Sequence, residues 1–196
     1  MKADSGLSER KNMNSVEIKF IPEKELTAFQ KDSILSLQKE CFSDVDRQSI
    51  EEDFISQEFG RLFAYQGRKI VGMLGLFKRK IKFGEKEIVF GGTGGVCVAK
   101  SMRRKGIATK MLKEGLKLLK KEKCDIACFN VDLKKEAYLL YEKVGFKTMM
   151  RKISFENIKG EIKYDAGTMF IPLCSQAVYD YVMQSKNTFH YGKGYW

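Results

Sequence analysis

One segment of the sequence places glycine, arginine and lysine at the junction of a strand and a helix, where an anion could bind. An apolar, glycine-containing strand ends at Val98, and an amphipathic helix begins at Gly106 after a short basic turn. The first amides of a helix have no partner within the helix, and the helix dipole favours a negative charge there. Gly106 places no side chain between the backbone and an approaching phosphate. We therefore predict a pyrophosphate site formed by Arg103, Arg104, Lys105, Gly106 and Ala108.

Two better-known phosphate motifs do not fit this segment. A P-loop needs Gly-Lys followed by Ser or Thr at the end of its glycine loop, and the chain has no such tripeptide. A dinucleotide fingerprint needs Gly-x-Gly-x-x-Gly before a helix, whereas residues 92–97 read Gly-Thr-Gly-Gly-Val-Cys and continue into a strand. The net charge of +11 suits either an anionic cofactor or a nucleic acid, and it also fits lysines that simply cover solvated helix faces.

Two motifs, in the expected order, resemble the GNAT family of N-acetyltransferases. Val96-Cys97-Val98, followed after four residues by Arg103-x-x-Gly106-x-Ala108, resembles motif A of that family. The segment 140–146, Leu-Tyr-Glu-Lys-Val-Gly-Phe, resembles motif B. The resemblance spans roughly residues 15–196. It implies an α/β GNAT fold, with a mixed, mostly antiparallel sheet and helices on both faces, and an enzyme that uses acetyl-CoA.

The resemblance also implies roles for individual residues. The backbone of Val96, Cys97 and Val98 would pair with the pantetheine arm of acetyl-CoA, and the turn from Arg103 to Thr109 would hold its pyrophosphate. Asn130, at the end of the next strand, would bond the pantetheine arm or cap the strand. Tyr141 corresponds to the family's general acid, which protonates the leaving thiolate; it could instead simply pack on the apolar face of its helix.

The C-terminal part resembles the aminoglycoside 2′-N-acetyltransferases. This resemblance rests on residues 165–172, Asp-Ala-Gly-Thr-Met-Phe-Ile-Pro, and on the final Gly-Tyr-Trp. It implies that Asp165 and Trp196, through its terminal carboxylate, bind the amine. Asp44 and Asp46, in a polar break, are further candidates for holding an ammonium group, or are helix caps. The glutamate that acts as base in those enzymes is replaced here by Gly94.

We therefore predict acetylation of a primary amine on a small molecule by direct attack, with an aminoglycoside-like acceptor as one form. The alternatives are acetylation of a protein or peptide amine, and a non-catalytic basic module that binds coenzyme A or nucleic acid. No helix-turn-helix, zinc or RNA-binding signature supports nucleic acid as the partner. A homodimer is left open.

These residues need a particular order of elements to position them. We expect a disordered leader over residues 1–14 and one acetyltransferase domain over 15–196. The apolar periodicity predicts the order β-α-α-β-β-β-α-β-α-β-β. The expected strands are 16–20, 62–65, 69–77, 86–98, 125–131, one from Phe146 onward and 168–173, and the expected helices are 23–40, 49–57, 106–121, 134–144 and 175–184. Gly145 is expected to end its helix in a left-handed conformation.

Composition limits the class of protein. No apolar run approaches the ~20 residues that cross a bilayer, and the polar N-terminus lacks a secretory core. We therefore expect a cytoplasmic protein with no membrane partner. The five cysteines include no Cys-x-x-Cys pair, and Cys97, Cys124 and Cys128 lie in apolar strand-like runs. They are predicted to be buried, reduced thiols, and the single histidine argues against a metal site.

Overall fold

Ten strands and five α-helices are present in the computed structural model, which describes residues 15–43, 45–134 and 136–196. The predicted leader and Asp44 lie outside the described residues. The strands are β1 Val16–Pro22, β2 Gly60–Gln66, β3 Lys69–Phe83, β4 Lys86–Val98, β5 Ile126–Asn130, β6 Lys147–Thr148, β7 Ile153–Glu156, β8 Ile162–Asp165, β9 Thr168–Pro172 and β10 Phe189–Lys193. The helices are α1 Ala28–Cys41, α2 Arg47–Asp53, α3 Ile107–Lys121, α4 Ala137–Val144 and α5 Gln176–Gln184.

A mixed sheet of seven strands carries the candidate site. Its order is β1-β2-β3-β4-β5-β9-β6. Only β4 and β5 run parallel; the other neighbours are antiparallel. The parallel pair follows from the strand-helix-strand unit β4-α3-β5, because a crossover helix returns the chain in the same direction. The predicted mixed, mostly antiparallel sheet is confirmed.

Helices cover both faces of this sheet, as predicted. Side chains alternate across each strand, so Leu74 and Leu76 of β3 pack with Met111 of α3 on one face. Met73, the neighbour of Leu74 in β3, packs with Leu37 of α1 on the other face. We call these the α3 face and the α1 face. Helix α4 joins α3, while α5 and β10 enclose an aromatic cluster continuous with the α1 face.

The structure places five strands after α4, where the sequence pattern predicts only two. Strands β7, β8 and β10 form a separate three-stranded sheet of order β10-β7-β8. These strands have only four or five residues each, too few to display a clear alternation of polar and apolar side chains. The first predicted helix is also shorter, because Thr27 caps α1 with a reciprocal capping box to Gln30. Gly145 ends α4 with φ +115°, as predicted.

The predicted reduced state is wrong for one buried cysteine. A disulfide joins Cys41, at the end of α1, to Cys97 in β4, with a Cα–Cα distance of 6.1 Å. Cys97 points to the α1 face, so α1 brings Cys41 within bonding range across 56 residues of sequence. Cys124 and Cys128 are buried free thiols, and Cys174 is an exposed one. Disulfides are rare in the cytosol, so the cytoplasmic location stays a prediction.

No helix in the described ranges is both long and apolar enough to cross a membrane.

Candidate active site

The two parallel strands at the centre of the sheet separate partway along their length. Strand β4 pairs with β5 only from Phe90 to Gly92. Beyond Gly92, β4 continues to Val98 while bonded to β3 on its other side. Within the described residues, no strand pairs with the β5-facing edge of β4 from Thr93 to Val98. This free edge offers backbone donors and acceptors to a ligand that enters between the strands.

A bulge lies at the start of the free edge. Met73 pairs with Cys97 and Gly75 pairs with Gly94, so three steps along β4 match two along β3. Gly95, inside the bulge, is exposed and has φ +57°. A bulge bends its strand and turns its backbone groups out of the ladder. The bend at Gly95 therefore explains why β4 leaves β5 at this level.

The predicted anion site lies at the far end of the free edge. After a single 3-10 turn, Arg104 and Gly106 adopt positive φ angles of 64° and 74°. Helix α3 then begins at Ile107, and Lys110 donates to the carbonyl of Gly106 at 3.0 Å, which closes the first helical turn. The preceding amides have no i−4 acceptor in the helix. Alternating left- and right-handed residues turn such amides toward one point and form an anion nest.

Space is available at this nest. A β-carbon placed on Gly106 would meet no atom within 4 Å. A cavity of about 340 Å³ adjoins it, lined by Val16, Gln66, Met102, Lys105, Gly106, Ile107 and Lys110. Two of these lining residues are lysines, so the cavity is electropositive. The residues present therefore fit a diphosphate.

Arg103 connects the nest to the end of β4. Its Nε donates to the carbonyl of Val98 at 3.0 Å, and its Nη2 lies 3.7 Å from the Sγ of Cys41. Lys105 turns toward Met102, with 3.5 Å between Nζ and Sδ. These two side chains thus hold the turn in shape. The backbone amides remain the main hydrogen-bond donors of the turn to a bound anion.

Tyr141 lies under the point where the strands separate. Its ring stacks on Phe129 of β5 with centroids 3.8 Å apart and meets the edge of Phe146 at 6.3 Å. The residue is 4% exposed, and burial raises the pKa of its phenol well above the usual value. The phenol is therefore protonated at neutral pH, which is the form that can donate a proton.

Trp196 lies against β4 on the α1 face. Its ring stacks on Phe77 with centroids 5.3 Å apart, and the Arg79 guanidinium lies 5.1 Å from its centroid. A β-carbon on Gly92 would come within 2.0 Å of the indole nitrogen, so the ring needs glycine there. The main-chain carbon of Trp196 is 3.3 Å from the β-carbon position of Gly94. Trp196 therefore reaches the bulge.

Arg79 holds the C-terminal segment in place, and sequence reasoning missed it. Its Nη1 donates to the carbonyls of Tyr191 and Gly194, and its Nη2 donates to Ser56 Oγ at 2.8 Å. Burial lowers the pKa of this guanidinium. In the sequence Arg79 is one of several basic residues of a hairpin, and nothing distinguishes it from its solvated neighbours.

Two residues that are predicted to bind ligands also hold this segment. The Asn130 amide nitrogen donates to the main-chain oxygen of Trp196 at 3.3 Å, and its oxygen accepts from Thr168 Oγ1 at 2.6 Å. One oxygen of Asp165 accepts from the hydroxyl of Tyr195, and the other accepts from the amide of Ala166 at 2.7 Å. Asn130 thus joins its strand end to the C-terminal residue, and its contact with the pantetheine arm stays a prediction.

Of the remaining predicted positions, Asp44 and Asp46, only Asp46 is described, next to α2. Asp46 is exposed and immediately precedes that helix, and its carbonyl accepts from the amide of Ile50 at 3.2 Å. Asp44 falls outside the described residues, so the structure gives no account of it. No cluster of three or more metal-ligating side chains is found in the described part of the chain.

Several solved structures have a fold similar to that of this chain. The GNAT protein YhbS from Escherichia coli, solved in complex with CoA, has 14% identity and a TM-score of 0.57, with 91% of this chain and 89% of that chain covered. A GNAT acetyltransferase from Brucella melitensis in complex with acetyl-CoA has 17% identity and a TM-score of 0.51, covering 80% and 88%. Eis1 from Mycobacterium abscessus has 11% identity and a TM-score of 0.56; the match covers 71% of this chain but only 33% of Eis1.

These identities are low enough that the structures establish the fold alone. No curated protein matches the sequence. A family model described as an acetyltransferase (GNAT) domain matches residues 23–149, about two thirds of the chain, and includes both the nest and Tyr141. The resemblance to aminoglycoside 2′-N-acetyltransferases is not among these findings and stays a prediction. The chain belongs to the GNAT acetyltransferase family.

Proposed function

We propose that this chain transfers an acetyl group from acetyl-CoA to a primary amine of a small molecule, by direct attack of the amine. The observation that carries the proposal is the continuous path from the free edge of β4 to the anion nest before α3. Tyr141 lies beside the point where that path begins. Acetyl-CoA supplies an activated thioester.

Each part of the path has a chemical task. The backbone of Val96, Cys97 and Val98 would pair with the amides of the pantetheine arm. The amides from Arg103 to Thr109 would hold the diphosphate, with Gly106 leaving room for close approach. Backbone donors freed by the bulge at Gly95 would stabilise the negative charge that develops on the acetyl oxygen.

Tyr141 would return a proton to the sulfur. A tyrosine phenol is protonated at neutral pH, so its hydroxyl can donate when the thiolate departs. The apolar stack on Phe129 fixes the ring, so the proton is delivered from a defined position. Cys97 cannot act as a nucleophile while it is bonded to Cys41, which agrees with direct attack.

The acceptor would approach from the α1 face. Trp196 and Gly94 border the bulge there, and Trp196 would line the acceptor end. Asp165 supports this surface indirectly through Tyr195. Asp46, exposed before α2, is the further candidate for holding an ammonium group. An aminoglycoside-like amine is one acceptor of this class.

A thiol-release assay tests the proposal, with acetyl-CoA and a panel of aminoglycosides, polyamines, amino acids and peptides. We expect acetyl-CoA to raise the melting temperature and at least one small amine to release thiol. Thiol release only with peptides would redirect the proposal to a protein acceptor. Absence of both binding and release would refute it.

The role of Tyr141 is tested by Tyr141→Phe, which keeps the ring stack and removes the proton donor. We expect kcat to fall by about 100-fold or more, the usual contribution of a general acid, with unchanged thermal stabilisation by acetyl-CoA. Tyr138→Phe, a half-buried tyrosine of the same helix, is the matched control. Equal kcat for both variants would remove Tyr141 from the mechanism.

A further inference from the structure

A buried carboxyl group lies over the sheet next to the bulge of β4. Glu58 precedes β2, and its side chain folds across Gly75 of β3. A β-carbon on Gly75 would come within 2.6 Å of the Glu58 Cδ and within 2.8 Å of both carboxylate oxygens. Glycine at position 75 therefore creates the space that this carboxyl group fills.

The strand register places this carboxyl beside the reaction path. Gly75 pairs with Arg61 on one side and with Gly94 on the other. Neighbouring residues in such pairs lie about 5 Å apart, so the carboxyl is roughly one strand spacing from Gly94 and the bulge. The C-terminal resemblance would place a basic glutamate at this position, which is Gly94 here.

Only one of the two oxygens of this carboxyl group has a polar partner among the described residues. Oε1 pairs with the Arg61 guanidinium, whose Nη1 also lies 3.5 Å from the Sδ of Met73. Oε2 is buried and has no hydrogen-bond partner among the described residues. A carboxylate kept only for an ion pair gains from having both oxygens bonded. A buried, unpartnered oxygen one strand away from the bulge lacks a hydrogen-bond partner, and a substrate proton would supply one.

The surroundings also bring the proton affinity of Glu58 into a useful range. Burial raises its pKa to about 7, and the negative charge of Glu23 acts in the same direction. The guanidinium of Arg61 opposes this rise. A base whose pKa lies near the working pH is both ionised often enough and basic enough to remove protons efficiently.

We infer that Glu58 is the proton acceptor for the attacking amine, a role supplied by the segment before β2 and not by β4. The inference rests on the proposed function, because it assigns a residue to the same reaction. Glu58 would contact the acceptor nitrogen directly or through one water. Arg61 would hold Oε1, so that Oε2 faces the bulge.

The proton balance is complete with groups already named. The acceptor arrives as an ammonium ion and gives one proton to Glu58, which later releases it to solvent. The freed lone pair forms the carbon–nitrogen bond with the acetyl carbon, and the carbon–sulfur bond breaks. Tyr141 gives its proton to the sulfur, and the second nitrogen proton restores the phenol. The products are an N-acetyl amine, coenzyme A as its thiol, and one proton.

Glu58→Gln tests this assignment, since it keeps the shape and removes the base. With the best amine of the panel, we expect kcat/KM to fall by about 100-fold to 10,000-fold, with unchanged thermal stabilisation by acetyl-CoA. The acidic limb of the wild-type pH profile, near pH 7, should disappear. An amine of low basicity that is already uncharged at the assay pH should recover most of the lost rate. Glu51→Gln, an exposed carboxylate on α2, is the matched control.

Arg61→Met gives a second test that does not depend on Glu58→Gln folding. Removing the guanidinium removes the charge that lowers the pKa of Glu58, so the acidic limb should move to higher pH. Infrared titration of the protein without acetyl-CoA should show a protonated carboxyl band, and the pH midpoint at which this band disappears should also be higher in Arg61→Met. An acidic limb that survives in Glu58→Gln, or stays fixed in Arg61→Met, would overturn the assignment.

The two proposals fail in different ways. If the wild-type protein releases no thiol with any amine, the proposed function itself is wrong. If the wild type is active and Glu58→Gln matches Glu51→Gln in rate and pH profile, acetyl transfer stands and Glu58 is not its base.

Discussion

Removing the disulfide between Cys41 and Cys97 should lower the stability of the protein substantially. The bond closes a loop with a sequence separation of 56 residues. In the chain-entropy model, a cross-link of that length destabilises the unfolded state by about 4 kcal/mol at 25 °C. For a domain of this size, each kcal/mol changes the melting temperature by about 2–4 °C, which gives an expected decrease of about 8–16 °C for Cys41→Ser.

The assay is thermal and urea unfolding of the oxidised protein, the reduced protein and Cys41→Ser. Cys174→Ser is the control, because Cys174 is exposed and free. Thiol titration of the unfolded, unreduced protein should count three free cysteines of the five. Five free thiols, or equal melting temperatures with and without reductant, would refute the reasoning.

Two glycine substitutions test the site more locally. Gly92→Ala should displace the Trp196 indole and cost about 1–3 kcal/mol; in a Gly92→Ala, Trp196→Phe protein the two losses should be clearly less than additive by urea unfolding, and simple additivity would contradict the packing. Gly106→Ala should cost about 1 kcal/mol for its left-handed backbone and abolish thermal stabilisation by acetyl-CoA. Gly160→Ala, with φ +81° and equally open space, should show the same strain with normal binding; equal binding by both variants would exclude the nest as the diphosphate site.

Sequence reasoning succeeded where the information is local. The apolar face of α3, the glycine before it and the left-handed end of α4 at Gly145 each depend on residues within one or two turns. Such patterns predict the element and its ends directly. The anion nest was predictable for the same reason, because its amides are free wherever a helix begins.

The features that escaped prediction depend on contacts between distant segments. Cys41 and Cys97 meet only after α1 has packed on the sheet, and Arg79 contacts carbonyls more than 110 residues away. In the sequence, nothing distinguishes Glu58 from the other glutamates; only the structure shows that its carboxyl group lies over Gly75. Periodicity gives the face on which a side chain lies, but it does not give the partner that comes to that face.

The chain contains a single tryptophan, and that residue lies at the bulge. Indole emission from this protein therefore originates at one place, between Phe77 and the Arg79 guanidinium. Emission wavelength and quenching respond to the polarity and charge around the ring. The molecule thus carries an intrinsic optical reporter at its proposed acceptor side, which can follow ligand arrival in stopped-flow experiments without a dye or a label.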